Sequence, residues 1–280
     1  MMRALKNNKS AAIGLLVIFF FLIMAFIMPF FIQHDPKVIF EDALRLPPAW
    51  MENGNTKFLL GTDDVGRDLL ARLVYGARVS LMIGFFVVLV SMTIGTFLGL
   101  ISGYFEGKVD KLIMGVVDII MSFPSILLAI IVVAVLGPGI TNAILAVSVV
   151  SIPSFTRIVR SSVLVEKNKD YVQAAISFGA KDFRILFKEI LPNCMAPLIV
   201  QATLCFSDGI LNTAALGFLG LGAQPPLPEW GIMLSDARAY IESAPWMVTL
   251  PGLCILALVL GFNLFGDGLR DALDPKLKGR

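Results

Sequence analysis

The 280 residues are 57% hydrophobic and only 16% charged, a balance far from that of a soluble domain. A net charge of +2 is too small for a nucleic-acid-binding surface, so no nucleic acid is expected as a partner.

In chain order, residues 1–10 form a polar leader with Arg3, Lys6 and Lys9. Residues 11–32 are then apolar for about 22 positions, enough to cross a bilayer. The run is longer than a signal-peptide core and no A-x-A site follows it, so a retained helix is expected. Residues 33–78 are polar and mixed in charge, and read as an extracytoplasmic loop with an amphipathic segment. His34 at its start is expected to be a solvated interface residue. Further apolar runs cover 79–102, 112–136, 140–159, 195–216 and 245–265. The fold expected is an all-α membrane bundle of six spans, with residues 1–32 as leader and first helix, 79–266 as core and 267–280 as a tail. Gly95 and Gly99 make a G-x-x-x-G that favours close helix packing. Sixteen of the 23 Lys and Arg fall in the leader, 103–111, 157–189 and the tail, against seven in 33–78 and 217–246. The positive-inside rule therefore puts both termini and the 170–193 loop in the cytoplasm.

Polar residues at membrane depth are candidates for a translocation path. Asp208, with Ser207 before it and Asn212 and Thr213 a turn later, is the sharpest, because a buried carboxylate is costly without a partner. It fits helix–helix pairing or a wet path equally well. Asn142, Ser148 and Ser151 mark the fourth span. Asp118 reads as a headgroup-level carboxylate. Cys194, Cys205 and Cys254 lie in or beside apolar runs without CxxC spacing and read as small buried hydrophobes. No ATP-binding G-x-x-x-x-G-K-[ST], HExxH or G-x-S-x-G occurs, and one histidine cannot build a multi-histidine metal site. No catalytic residue and no metal are expected.

The stretch 170–193, DYVQAAISFGAKDFRILFKEILPN, interrupts the apolar sequence with a compact charged pattern. Residues 171–178 read as a short helix with small Ala174 and Ala175, and Gly179 sits where a helix ends in a left-handed residue. A second short helix follows, with Lys181, Arg184 and Lys188 on one face and Phe183, Phe187 and Ile190 on another, and Pro192 is expected to stop it. This stretch resembles the EAA loop of ABC importer permeases, which docks in a groove of the ATPase subunit. Tyr171, Gln173, Ala174, Ala175, Gly179, Ala180, Ile190, Leu191 and Pro192 are the residues the resemblance implies for coupling. Gln173 stands where the motif has Glu.

Two further segments resemble the dipeptide, oligopeptide and nickel group of these permeases. LGTDDVGRDLLARLVYGARVSL (60–81) matches its G-T-D-x-x-G-R-D … G-A-R-x-S-L signature through Gly61, Thr62, Asp63, Gly66, Arg67, Asp68 and Arg78. An amphipathic helix on the outer surface fits the same residues. AALGFLGLGAQPPLPEWGIMLSD (214–236) resembles the extracytoplasmic mouth of the C-type subunits, with Trp230 as an interface anchor. The resemblance is nearest to the dipeptide branch and implies a type I, MetI-like bundle with a cytoplasmic coupling helix. It further implies a second homologous permease, two ATPase subunits that bind ATP and Mg, and an extracytoplasmic peptide-binding protein. This chain would hold no cofactor. A stand-alone channel or ion-coupled carrier, supported by Asp208, is the alternative from a different class.

Overall fold

The computed structural model describes residues 9–273, and among them all regular structure is helical apart from an isolated Thr62–Asp68 bridge. The leader residues Arg3 and Lys6 and the tail beyond 273 lie outside the described residues. Helix α1 (Lys9–Phe26) is followed by a single 3-10 turn with Pro29 near its start. Helix α2 (Leu69–Phe105) has 37 residues and is therefore about 55 Å long, against a hydrocarbon core of about 30 Å. Residues 69–78, which polarity had placed in the loop, are its first turns. Asp68 starts the helix by accepting from the Leu70 N–H at 3.0 Å, and Glu106, with φ of 49°, ends it.

Helices α3 (Gly107–Met121) and α4 (Ser125–Leu136) are bent by 94° at the break between them. The expected straight span over 112–136 is thus two half-length pieces. Pro124 lacks an N–H to continue the ladder, and the Ser122 hydroxyl donates back to the Ile119 carbonyl at 2.7 Å. Among the described residues, five helical stretches are long and apolar enough to cross a membrane, six when the bent pair is counted as one span. Helix α5 (Ile140–Glu166) lies directly on α2. A Cβ on Gly95 would stand 2.5 Å from Phe155 Cβ, and one on Gly99 2.7 Å from the Thr156 carbonyl, so the G-x-x-x-G packs helices within this chain.

After helix α6 (Asp170–Ser177), the residues Asp182–Arg184, a π-helical segment Ile185–Ile190 and a 3-10 segment Leu191–Cys194 lead without interruption into α7 (Met195–Phe218). Pro192 therefore does not stop a helix. It sits in the first turn of the 3-10 segment, where its missing N–H would have no partner anyway. Helices α8 (Trp230–Ala237) and α9 (Trp246–Leu273) complete the bundle. One apolar core joins α2, α4, α5, α7 and the 170–193 loop; another joins α1, α2, α8 and α9. Trp230 belongs to the second and is no interface anchor: it is fully buried and donates its indole N–H to the Leu73 carbonyl at 3.1 Å.

Candidate coupling loop and translocation path

Helix α6 ends in a full Schellman turn. Gly179, with φ of 78°, donates to the Ile176 carbonyl at 2.9 Å, and Ala180 donates to the Ala175 carbonyl at 3.0 Å. The loop is rooted through Val172, Ile185, Leu186 and Ile190, all buried in the larger core. Leu191 is half-buried and Pro192 exposed. What the loop leaves outside is apolar: Phe178 is 91% exposed, Phe183 73% and Ile176 45%, with exposed Lys181 and Arg184 beside them. The face grouped as Phe183, Phe187 and Ile190 is thus split in burial: Ile190 is buried, Phe187 half-buried against the core and Phe183 exposed.

A polar clasp closes both ends of this loop. The Tyr171 hydroxyl donates to Glu166 Oε2 at 2.6 Å and accepts from Asn193 Nδ2 at 3.1 Å, while Lys169 Nζ holds Glu166 Oε1 at 2.6 Å. Burial, then the bond to the Glu166 carboxylate, pushes the Tyr171 phenol up to about 12, so it stays a donor at physiological pH. Gln173, exposed, donates to the Lys167 carbonyl at 3.0 Å; it fastens the loop to the end of α5. Further ties run to the end of α2 and the start of α3. Tyr104 donates to Asp182 at 2.8 Å, Lys167 pairs with Glu106 at 2.6 Å, and Arg160 meets Asp110 through two bonds of 2.6 and 2.7 Å. Tyr104 and Asp110 escaped the sequence reading because their partners Asp182 and Arg160 lie 78 and 50 positions away.

The 60–68 signature folds into a buried polar knot, in which only Asp64 Oδ1 and Arg72 Nη1 lack a hydrogen-bond partner among the described residues. Thr62 donates to the Ala43 carbonyl at 2.5 Å and accepts from the Leu46 N–H at 2.8 Å. Asp63 accepts from Arg67 Nε at 2.6 Å and lies 3.3 Å from Arg72 Nε, and all three are buried. Gly61 and Gly66 take the left-handed turns the knot requires, with φ of 82° and 88°. His34 is not a solvated residue: its Nδ1 lies 2.8 Å from Asp68 Oδ2, and its ring packs between Phe40 and Phe58. Arg78 is exposed and stands apart from this cluster. The knot reaches α8 at Asp236, 3.7 Å from Arg67 and 3.9 Å from Arg72. Burial pushes the Asp64 and Asp236 carboxyls above their ordinary range. Glu229, buried at the start of α8, accepts from the Gly231 and Ile232 N–H groups, yet burial still pushes it up to about 7.

Of the candidate path residues, Asp208 is exposed on α7 and Asn212 lies half-exposed one turn on. Ser148 is buried and donates to the Ile144 carbonyl at 2.7 Å, so it stands apart from them. Ser151 donates to the Val147 carbonyl at 2.9 Å and reaches the Cys205 thiol. Asn142 ties the α4–α5 turn through the Leu136 and Gly137 carbonyls. Asp118 is exposed, as its headgroup reading implies, and pairs with Arg157 at 2.6 Å. Among the described residues no cluster of His, Cys, Asp or Glu could hold a metal ion.

Residues 95–279 match the family of binding-protein-dependent transport system inner membrane components, and residues 1–48 the N-terminal TM domain of oligopeptide transport permease C. The dipeptide transport system permease protein DppC of Haemophilus influenzae is 53% identical, over 98% of this chain and 92% of that protein. DppC of Escherichia coli K12 is 56% identical over 98% of this chain and 91% of its own. The glutathione transport system permease protein GsiD of Pectobacterium atrosepticum is 46% identical over 99% and 90%. A chain of the inward-facing MetNI methionine ABC transporter shares the fold, with a TM-score of 0.59 at 22% identity over 72% of this chain and 96% of that one. The chain belongs to the binding-protein-dependent transport system inner membrane component family and is a membrane-spanning permease subunit of a bacterial ABC importer.

Proposed function

We propose that this subunit imports dipeptides and other short peptides, and that its 170–193 loop is the part an ATPase subunit pushes. The observation that carries the coupling role is the exposed Ile176–Phe178–Phe183 face on a loop whose other side is locked into the core. An apolar face of that kind, rimmed by Lys181 and Arg184, has the composition of a protein interface. The names of the dipeptide and glutathione relatives support a short-peptide substrate. In this reading the chain lines half of a path with a second, homologous permease, and two ATPase subunits hold the ATP and Mg. An extracytoplasmic binding protein delivers the peptide, and both termini and the 170–193 loop are cytoplasmic. Closure of the ATPases moves α6 as a rigid body. The clasp at Glu166, Tyr171 and Asn193 and the ties at Tyr104 and Lys167 hand that motion to α2, α5 and α7.

The test is a mild-detergent pull-down of the tagged chain from its native membrane, followed by reconstitution with labelled dipeptide. Recovery of a second permease and ATPase subunits, with ATP-dependent uptake, is the expected result. A chain that comes away alone and transports down an ion gradient, indifferent to ATP, overturns the reading in favour of a carrier.

A further inference from the structure

A cleft of about 730 Å³ opens between the ends of α5, α7 and α9, a size suited to a small molecule. Ser161 and Ser162 line it from α5, Gln201 and Leu204 from α7, and Arg270 from α9. Arg270 is exposed, and no hydrogen bond or ion pair engages its guanidinium among the described residues. Glu166 also borders the cleft, but Lys169 and Tyr171 occupy its carboxylate.

The α7 wall continues beyond the cleft. Gln201, Leu204, Asp208 and Leu211 recur at intervals of three and four and so share one face of the helix. Asp208 and Leu211 are exposed, and Asp208 has no hydrogen-bond partner among the described residues. Contacts between α7 and α9 fix the height of Arg270. The Phe206 and Phe262 rings stack with centroids 4.0 Å apart, Ser207 Oγ lies 3.4 Å from the Val259 carbonyl, and Gly266 faces Thr203. Arg270 follows one turn after Gly266, which puts it about 13 Å from Asp208 along the bundle. The extended backbone of a di- or tripeptide spans roughly 7–11 Å, and the arms of Arg and Asp cover the remainder.

We infer that Asp208 and Arg270 are the two ends of a cytoplasmic-side site for a zwitterionic short peptide, Asp208 taking the α-ammonium and Arg270 the α-carboxylate. This deepens the peptide-importer reading and rests on it. An unpaired carboxylate at membrane depth is costly until a cation meets it, and a guanidinium fork matches a carboxylate through two parallel bonds. Between the two charges the wall offers Ser161, Ser162 and Gln201, small neutral hydrogen-bonding groups. Such a site reads the termini common to all short peptides and tolerates their side chains.

The test uses the complete transporter in nanodiscs, without nucleotide or binding protein. It measures equilibrium binding of a labelled dipeptide, its N-acetyl form and its C-terminal amide. The wild type is expected to bind each blocked form about tenfold more weakly, the scale of a hydrogen bond to a charged group. Arg270→Gln should lose the discrimination against the amide and keep that against the N-acetyl form, and Asp208→Asn should do the reverse. Arg270→Lys keeps the charge and should keep the discrimination, which separates lost recognition from lost folding. Equal binding of all three ligands by the wild type overturns the site, as does an Arg270→Gln complex that still rejects the amide. An Arg270→Gln complex that loses only copurifying anionic phospholipid assigns the guanidinium to a headgroup and also overturns it. Wild-type complex that imports dipeptide with ATP yet shows no such discrimination refutes this site alone. Failure of ATP-driven import refutes the reading beneath it.

Discussion

The two signature segments of this chain, 60–68 before the start of α2 and 170–193 tied near its far end, solve opposite problems. In the first the conspicuous residues are consumed internally: Thr62, Asp63, Arg67, Asp68 and Arg72 are all buried and bonded to their own chain. In the second, Val172, Ile185, Leu186 and Ile190 anchor the loop while Ile176, Phe178 and Phe183 point away, and polar side chains tie its ends down. A family signature can therefore mark a structural knot or a docking face. The sequence pattern alone does not separate them, because each mixes charge, glycine and small residues. Burial does.

That contrast predicts different failures. The largest effect is expected at Asp63→Ala, which strands Arg67 and Arg72 in the buried knot and should cost about 3–5 kcal/mol. It should show as loss of the mature protein from the membrane, and normal accumulation with unchanged thermal stability would contradict the knot. Glu229 comes next. Its carboxyl titrates near 7 in the folded chain against an ordinary value of 4.5, so between those pH values the folded state holds a proton that the unfolded state has lost. Stability must then fall as pH rises through that window, by about 3 kcal/mol in all. Thermal denaturation of Glu229→Gln from pH 5 to 8 should have a flatter profile than the wild type.

At the 170–193 loop the expected losses are functional. Gly179→Val forces a β-branched residue to φ of 78°, although its Cβ would meet nothing within 4 Å. The strain of about 1–2 kcal/mol falls on the loop alone, so the protein should stay in the membrane while ATP-driven uptake is abolished. Normal uptake by a well-expressed variant would sink the coupling role. The smallest change is expected for Gln173→Glu. It restores the charge usual in the motif but loses the bond to the Lys167 carbonyl at an exposed site, and uptake should stay within about twofold.

Much of the architecture was legible from hydropathy, because a membrane span must be long and apolar. The 94° break was not. Pro124 marks it, yet Pro153 and Pro251 lie inside helices that continue, so proline does not by itself say where a span ends. Gly179 and the Schellman turn were readable because a left-handed residue has few alternatives to glycine. Trp230 and His34 were misread as interface residues because both find partners far along the chain, Leu73 157 positions away and Asp68 34 positions away. Ser148 was grouped with Asp208 by depth, but depth carries no information on which way a helix face turns.

The central claim is that the 170–193 loop presents Phe178 to an ATPase subunit. The native thiols Cys194 and Cys205 are buried and Cys254 half-buried, so Phe178→Cys places the most accessible thiol among the described residues on that face. Cross-linking of Phe178→Cys in the native membrane should give one major adduct with the mass of this chain plus an ATPase subunit, sensitive to ATP. A Phe178→Cys thiol that stays open to soluble reagents in an intact, transporting complex, and forms no such adduct, would contradict the account.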